Sequence, residues 1–177
     1  MNICVFCSSS SDLDECYVRA AQALGKGLAE RGHTLVFGGY DTGLMGDVAK
    51  AAVHAGGKVV GITTAGLSRK NRAIVAGISV IEAADLAERK NEMMRISDSF
   101  VTLPGGLGTF DEFFSVISRV KAGEMDGKSA LLNVDGYLNP LVQMLDEACA
   151  KGLNKGNWRD IGNVFDEVDT LLHWLEA

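Results

Sequence analysis

The chain has 177 residues, 47% hydrophobic and 23% charged, with a formal net charge of −6. That length suffices for one domain with a sizeable core, and the acidic balance argues against nucleic acid as the main partner. No apolar run approaches the roughly 18–20 residues that span a bilayer, so no membrane partner is expected.

Short, apolar, β-branched runs alternate with longer helical patterns along the chain. The opening MNICVFCSSS has neither a basic lead nor a cleavage site, and reads as a first strand over residues 2–7. A helix over 13–30 follows, with Ser10, Ser11 and Asp12 available to cap it. TLVF at 34–37 leads through GGYDTGLMG into a helix ending near residue 55. KVVGI at 58–62 opens a polar stretch over 63–77, followed by ISVI at 78–81 and a helix over 85–97. SFVTL at 99–103 runs through PGGLGT into a helix ending near residue 122. SALLNV at 129–134 precedes a helix over 140–151, and a last helix covers 166–176. Continuously apolar strands separated by helices imply a predominantly parallel sheet buried on both faces. The expectation is a single domain over 1–177 with a doubly wound, Rossmann-like α/β fold and helices on both faces. Ligands of such a fold bind at the carboxyl ends of the strands.

Four strand ends should gather there: CSSSS (7–11), GGYDTGLMG (38–46), GITTAGLSRKNR (61–72) and PGGLGT (104–109). Glycine lets backbone N–H groups approach an anion, a following helix N-terminus favours negative charge, and serine and threonine add donors. Any one of these segments alone is equally well a glycine-rich turn; together they point to a bound anion. Ser8, Gly39, Met45, Gly105, Gly106, Leu107, Gly108 and Thr109 are the candidate phosphate- and substrate-binding residues. Familiar nucleotide motifs are absent: no lysine follows Gly108, and CSSSS stands where a dinucleotide fold has its glycine fingerprint.

Charge is distributed unevenly. Residues 58–95 carry a net +3 inside a chain of net −6, which suits a small anionic ligand. Arg69, Lys70 and Arg72 lie in the polar stretch, either solvated or forming a lid over such a ligand. On the helix over 85–97, Leu86, Arg89, Lys90 and Met93 share one stripe, so two cations interrupt an inward face. Either both snorkel to the surface or they meet the ligand. Glu112 has two readings as well. Thr109-Phe-Asp-Glu112 fits a capping box, in which the carboxylate returns to a backbone N–H. The alternative, which we expect, points Glu112 into the cleft toward Arg89.

Cys4 and Cys7 form a lone C-x-x-C with no second pair, and strand alternation sends them to opposite faces. With Cys16 and Cys149 they read as structural thiols of a reducing, cytoplasmic protein. His33, His54 and His173 have no metal-like spacing, and no metal is expected.

GLMG at 43–46, ERK at 88–90 and PGGLGTFDE at 104–112 resemble the Lonely Guy (LOG) family of cytokinin riboside 5′-monophosphate phosphoribohydrolases. Its PGGxGTxxE signature is matched in full, LLNVDGY at 131–137 adds to the likeness, and the resemblance runs from residue 1 to about 153. It implies hydrolysis of the N-glycosidic bond of a nucleoside 5′-monophosphate, such as AMP or an N6-modified AMP, and so a place in cytokinin biosynthesis. It further implies Arg89 and Glu112 as catalytic residues, Lys90 beside the phosphate, no cofactor, and a homodimer with the site near its interface. Members have been labelled lysine decarboxylases, but this sequence has no lysine in a pyridoxal-phosphate context. The chain departs from the family at Leu86-Ala87, Tyr40, Thr63 and residues 119–123, positions that bear on the base rather than on phosphate or ribose. The alternative within the same fold is a non-catalytic carrier of a phosphorylated ligand, like the molybdenum-cofactor carriers.

Overall fold

A computed structural model describes residues 1–68 and 73–177. Arg69, Lys70 and Arg72, the candidate lid, lie outside the described residues. The strands are β1 (Asn2–Phe6), β2 (Thr34–Phe37), β3 (Lys58–Thr64), β4 (Ser79–Ala83), β5 (Ser99–Thr102), β6 (Lys128–Leu132) and β7 (Gly162–Phe165). They form one sheet in the order β4-β3-β2-β1-β5-β6-β7, every neighbouring pair parallel. The helices are α1 (Glu15–Glu30), α2 (Gly43–His54), α3 (Ala65–Ser68), α4 (Leu86–Arg95), α5 (Leu107–Ala122), α6 (Asn139–Ala150) and α7 (Val168–Glu176). Among the described residues, no helix is long and apolar enough to cross a membrane.

The doubly wound arrangement follows from strand alternation. Ile3, Val5 and Cys7 pack with Leu24 and Leu28 of α1, Val48 of α2 and Leu172 of α7 on one face. Cys4 and Phe6 turn to the other face, against Met93 and Met94 of α4 and Val116 of α5. Both faces are therefore greasy, and the central strands read as unbroken apolar runs. Cys4 and Cys7 diverge as the pleat requires, and both are free thiols.

Several expected boundaries shift. α1 starts at Glu15 behind Asp14, which makes no side-chain capping bond, so Ser10, Ser11 and Asp12 belong to a loop rather than a cap. The polar stretch after residue 62 begins as strand, since β3 continues to Thr64 before α3. β7 was not expected at all: its four residues, GNVF, form an edge strand and are mostly half-buried. Such a segment is too short to show a period.

α1 and α2 approach closely at Gly25, where an added Cβ would stand 2.1 Å from the carbonyl oxygen of Val48. Backbone cannot rotate out of the way as a side chain can. Gly25→Ala should therefore lower the unfolding free energy by about 1–3 kcal/mol, measured by denaturant titration. Wild-type stability would show that the two helices can separate freely.

Candidate active site

The chain winds outward from β1 through β2 and β3 to β4, then crosses back to lay β5 on the other side of β1. A crevice opens where the order reverses, at the carboxyl ends of β1 and β5. Pairing runs on beyond the strands: the Leu103 amide donates to Phe6 O at 2.9 Å, and the Ser8 amide to Pro104 O at 3.1 Å. The serine loop and the PGG turn therefore leave the sheet side by side. Gly43, at φ +52°, admits the serine loop against the start of α2, since a Cβ there would lie 2.3 Å from Ser10 O. Between these loops lies a cleft of about 310 Å³, within the range of small-molecule sites.

One wall is the N-terminus of α5. Gly106 occupies the N-cap position in extended backbone, and no side chain caps the helix. The Phe110 amide donates to Gly106 O at 3.0 Å. The amides of Gly106, Leu107, Gly108 and Thr109 precede that first intrahelical bond, so the helix leaves them available to an anion. A Cβ at Gly106 or Gly108 would stand in open space, so those glycines leave the amides bare rather than relieve a packing clash. Gly105 differs: a Cβ there would lie 2.2 Å from Thr109 Oγ1. The capping-box reading of Thr109 and Glu112 is thus corrected. The helix starts at Leu107, Thr109 lies inside its first turn, and Glu112 is a full turn further on.

The opposite wall comes from α4, whose N-cap Asp85 accepts the Glu88 amide at 2.8 Å. Its inward face is Arg89, Met93 and Met94. Leu86, which the stripe placed with them, is 60% exposed. Arg89 is buried, and its Nε donates to Ile62 O at 2.7 Å. Its Nη1 stands 3.6 Å from Glu112 Oε1, so the two side chains meet in the cleft, as expected. Burial pushes the Glu112 carboxyl from its ordinary 4.5 up to about 7, against the pull of Arg89; the Asp111 carboxylate adds to the rise and Lys90 opposes it. Desolvation outweighs the nearby cation here.

Of the expected residues, Ser8, Met45, Arg89, Gly106, Leu107, Gly108, Thr109 and Glu112 line the cleft. Lys90, Gly39 and Gly105 do not. Lys90 pairs with Asp111 at 2.7 Å. Gly39 serves the backbone, at φ +83° with Thr63 against it. Gly105 shapes the turn and accepts a hydrogen bond from the Tyr137 hydroxyl at 2.7 Å.

Sequence reasoning missed Cys7, Ser9, Ser10 and Tyr40 as lining residues. The serine run was visible in CSSSS, whereas Tyr40 stood out only as part of GGYDTGLMG and as a departure from the family. Its ring is fully buried, with its hydroxyl donating to Thr64 O at 3.0 Å. Cys7 is no thiolate nucleophile: burial, reinforced by the Glu112 carboxylate, pushes its thiol far up.

Comparison with known proteins adds to this geometry. The family model described as "Possible lysine decarboxylase" matches residues 45–175. A cytokinin riboside 5′-monophosphate phosphoribohydrolase of Arabidopsis thaliana is 43% identical over 175 residues, covering 99% of this chain and 77% of that protein. A probable enzyme of the same name from Oryza sativa subsp. japonica is 41% identical over 174 residues, covering 98% and 77%. Among solved structures, the molybdenum cofactor binding protein of Rippkaea orientalis superposes with a TM-score of 0.76 at 20% identity, covering 99% of this chain and 94% of that one. The molybdenum cofactor carrier protein of Chlamydomonas reinhardtii gives 0.73 at 22% identity, covering 99% and 95%. At that identity the likeness is one of fold.

The Glu112 carboxyl has a measurable consequence for stability. Its folded value of about 7 lies above the ordinary 4.5, so between those pH values the folded protein holds a proton that the unfolded chain releases. The stabilisation is full below pH 4.5 and is lost as pH rises through 7. Glu112→Gln, which mimics the neutral acid, should unfold about 1–3 kcal/mol less readily than wild type at pH 8. The difference should shrink to nothing only below about pH 4 in paired denaturation curves.

Proposed function

The chain belongs to the Lonely Guy family of cytokinin riboside 5′-monophosphate phosphoribohydrolases, and from that premise we propose that it hydrolyses the N-glycosidic bond of a nucleoside 5′-monophosphate, releasing the free base and ribose 5-phosphate. One observation carries the reading: the half-buried carboxyl of Glu112 meets Arg89 at 3.6 Å in a cleft that also holds the uncapped N-terminus of α5.

The phosphate occupies the bare amides at the start of α5, with the hydroxyls of Ser8, Ser9 and Ser10 completing its shell. That anchor brings the ribose to Glu112. As the bond from C1′ to the base nitrogen lengthens, positive charge grows on C1′ and the ring oxygen, and the Glu112 carboxylate stabilises it. The same carboxylate takes the proton of the water that adds to C1′. The base leaves with the electron pair of the broken bond and gains a proton, so water is split between the two products. Arg89 orients the carboxylate and stabilises negative charge on the departing base. Lys90, near the rim, is held by Asp111, which offsets its charge, and it adds positive potential to the phosphate on exchanging that partner for the ligand.

AMP and N6-modified AMP are the substrates we favour; the relatives are named for a cytokinin riboside 5′-monophosphate. A homodimer in a reducing cytoplasm completes the proposal, supported by the family resemblance and by four free cysteines. The carrier reading draws on the molybdenum-cofactor proteins, whose similarity at 20–22% identity speaks to fold.

Purified protein incubated with a panel of nucleoside monophosphates should release base from at least one adenine member. Arg89→Ala and Glu112→Gln should each slow release by about 10²–10⁴-fold. Since the base must be ionised, kcat/KM should climb with pH up to about 7 and level off above it. Recovery of intact, tightly held ligand with no turnover would favour the carrier instead.

A further inference from the structure

Gly38 follows β2 directly and is buried, yet its backbone does not require glycine. Its neighbours Gly39 and Gly43 have positive φ, and Gly38 does not. What distinguishes it is space. A Cβ at position 38 would lie 2.0 Å from Arg89 Nη2, 3.3 Å from Arg89 Cζ and 2.8 Å from Met45 Sδ. The guanidinium therefore meets the bare α-carbon end-on through Nη2, with Met45 closing one side. Its Nε is tied to Ile62 O at 2.7 Å, the last residues of β3 supplying that acceptor from the neighbouring strand. A glycine, a carbonyl and a thioether from β2, β3 and α2 thus fix a cation carried by α4.

We propose that Gly38 is a positioning residue for the reaction, whose lack of a side chain holds the Arg89 guanidinium at the place from which it faces Glu112. This inference rests on the proposed hydrolase function for its kinetic meaning, and on geometry alone for its structural one. Gly38→Ala is suited to the test because alanine is compatible with the backbone there. The atom that it meets first is the end of a side chain, so Arg89 gives way before the sheet does. The displaced cation should leave the cleft poorly aligned, and a misplacement of about 1 Å can cost on the order of 10²-fold in rate.

Two measurements decide the matter. In the first, Gly38→Ala should lower kcat by about 10²-fold while KM stays within about threefold. In an Arg89→Ala background the same substitution should cost less than about threefold, because the group that it displaces is gone. Unchanged kcat, or an equal loss in both backgrounds, would overturn the proposal. In the second, the Glu112 side-chain carbon is followed by NMR through a pH titration of the unliganded protein. Arg89 lowers the Glu112 value, so Gly38→Ala should move the midpoint upward. Among the described residues, the other charged or titratable groups facing Glu112 are Asp111, Lys90 and the thiols of Cys4 and Cys7, whereas the nearest atoms to a Cβ at 38 belong to Arg89 and Met45. An unmoved midpoint sinks the positioning role. If wild type releases no base from any monophosphate, the hydrolase function fails and the titration alone judges Gly38.

Discussion

A carboxyl group removed from water beside a single guanidinium is an expensive arrangement, and much of this cleft exists to hold it. Desolvation works against the charged form of Glu112 more strongly than Arg89 works for it, which is why the carboxyl settles near neutrality instead of near 4. A group so poised can accept a proton at physiological pH and give it up again. The cation is equally constrained, because Arg89 is buried and, among the described residues, has one backbone acceptor, Ile62 O, besides the carboxylate. Neither residue is positioned by its own helix alone. α5 supplies the acid, α4 the cation, β3 the acceptor and the end of β2 the room.

The same economy governs the anion side. A helix usually ends with its amides satisfied by a serine, threonine or aspartate cap. α5 starts on Gly106 without one, and the flanking glycines leave those amides facing the cleft. Those exposed amides are open to water, and in the proposed reaction the phosphate takes the water's place. The winding of the sheet makes the location inevitable, since the helices that follow the adjacent strands β1 and β5 leave for opposite faces at the reversal point.

How much of this was legible in the string varies by residue. The sheet was readable because its central strands are apolar on both faces, and PGGLGT because glycines after a strand and before a helix have few other uses. Arg89 and Glu112 could be paired from the helix pattern. Thr109 was harder: S/T-x-x-E satisfies the capping-box spacing wherever it occurs, and only the backbone of Gly106 decides that the helix begins three residues earlier. Leu86 shares a stripe with Arg89, yet α4 is short and its first turn extends beyond the cover of the sheet. β7, an edge strand of four residues, carried no period to detect. Gly38 and Tyr40 lie in GGYDTGLMG, which the sequence placed at the ligand edge, but their individual roles were out of reach for a different reason. Their significance lies in what α4 and β3 bring against them, and such proximity is absent from a linear pattern.

The central claim is that phosphate binds the start of α5 while C1′ of the ribose faces Glu112. A crystal structure of Glu112→Gln with intact AMP tests it most directly. The account predicts phosphate oxygens within about 2.7–3.2 Å of the amides of Gly108 and Thr109. It also predicts C1′ opposite the residue 112 side chain, with Arg89 still bound to Ile62 O. Phosphate found on Arg89 or Lys90, with the base lying against the start of α5, would contradict it.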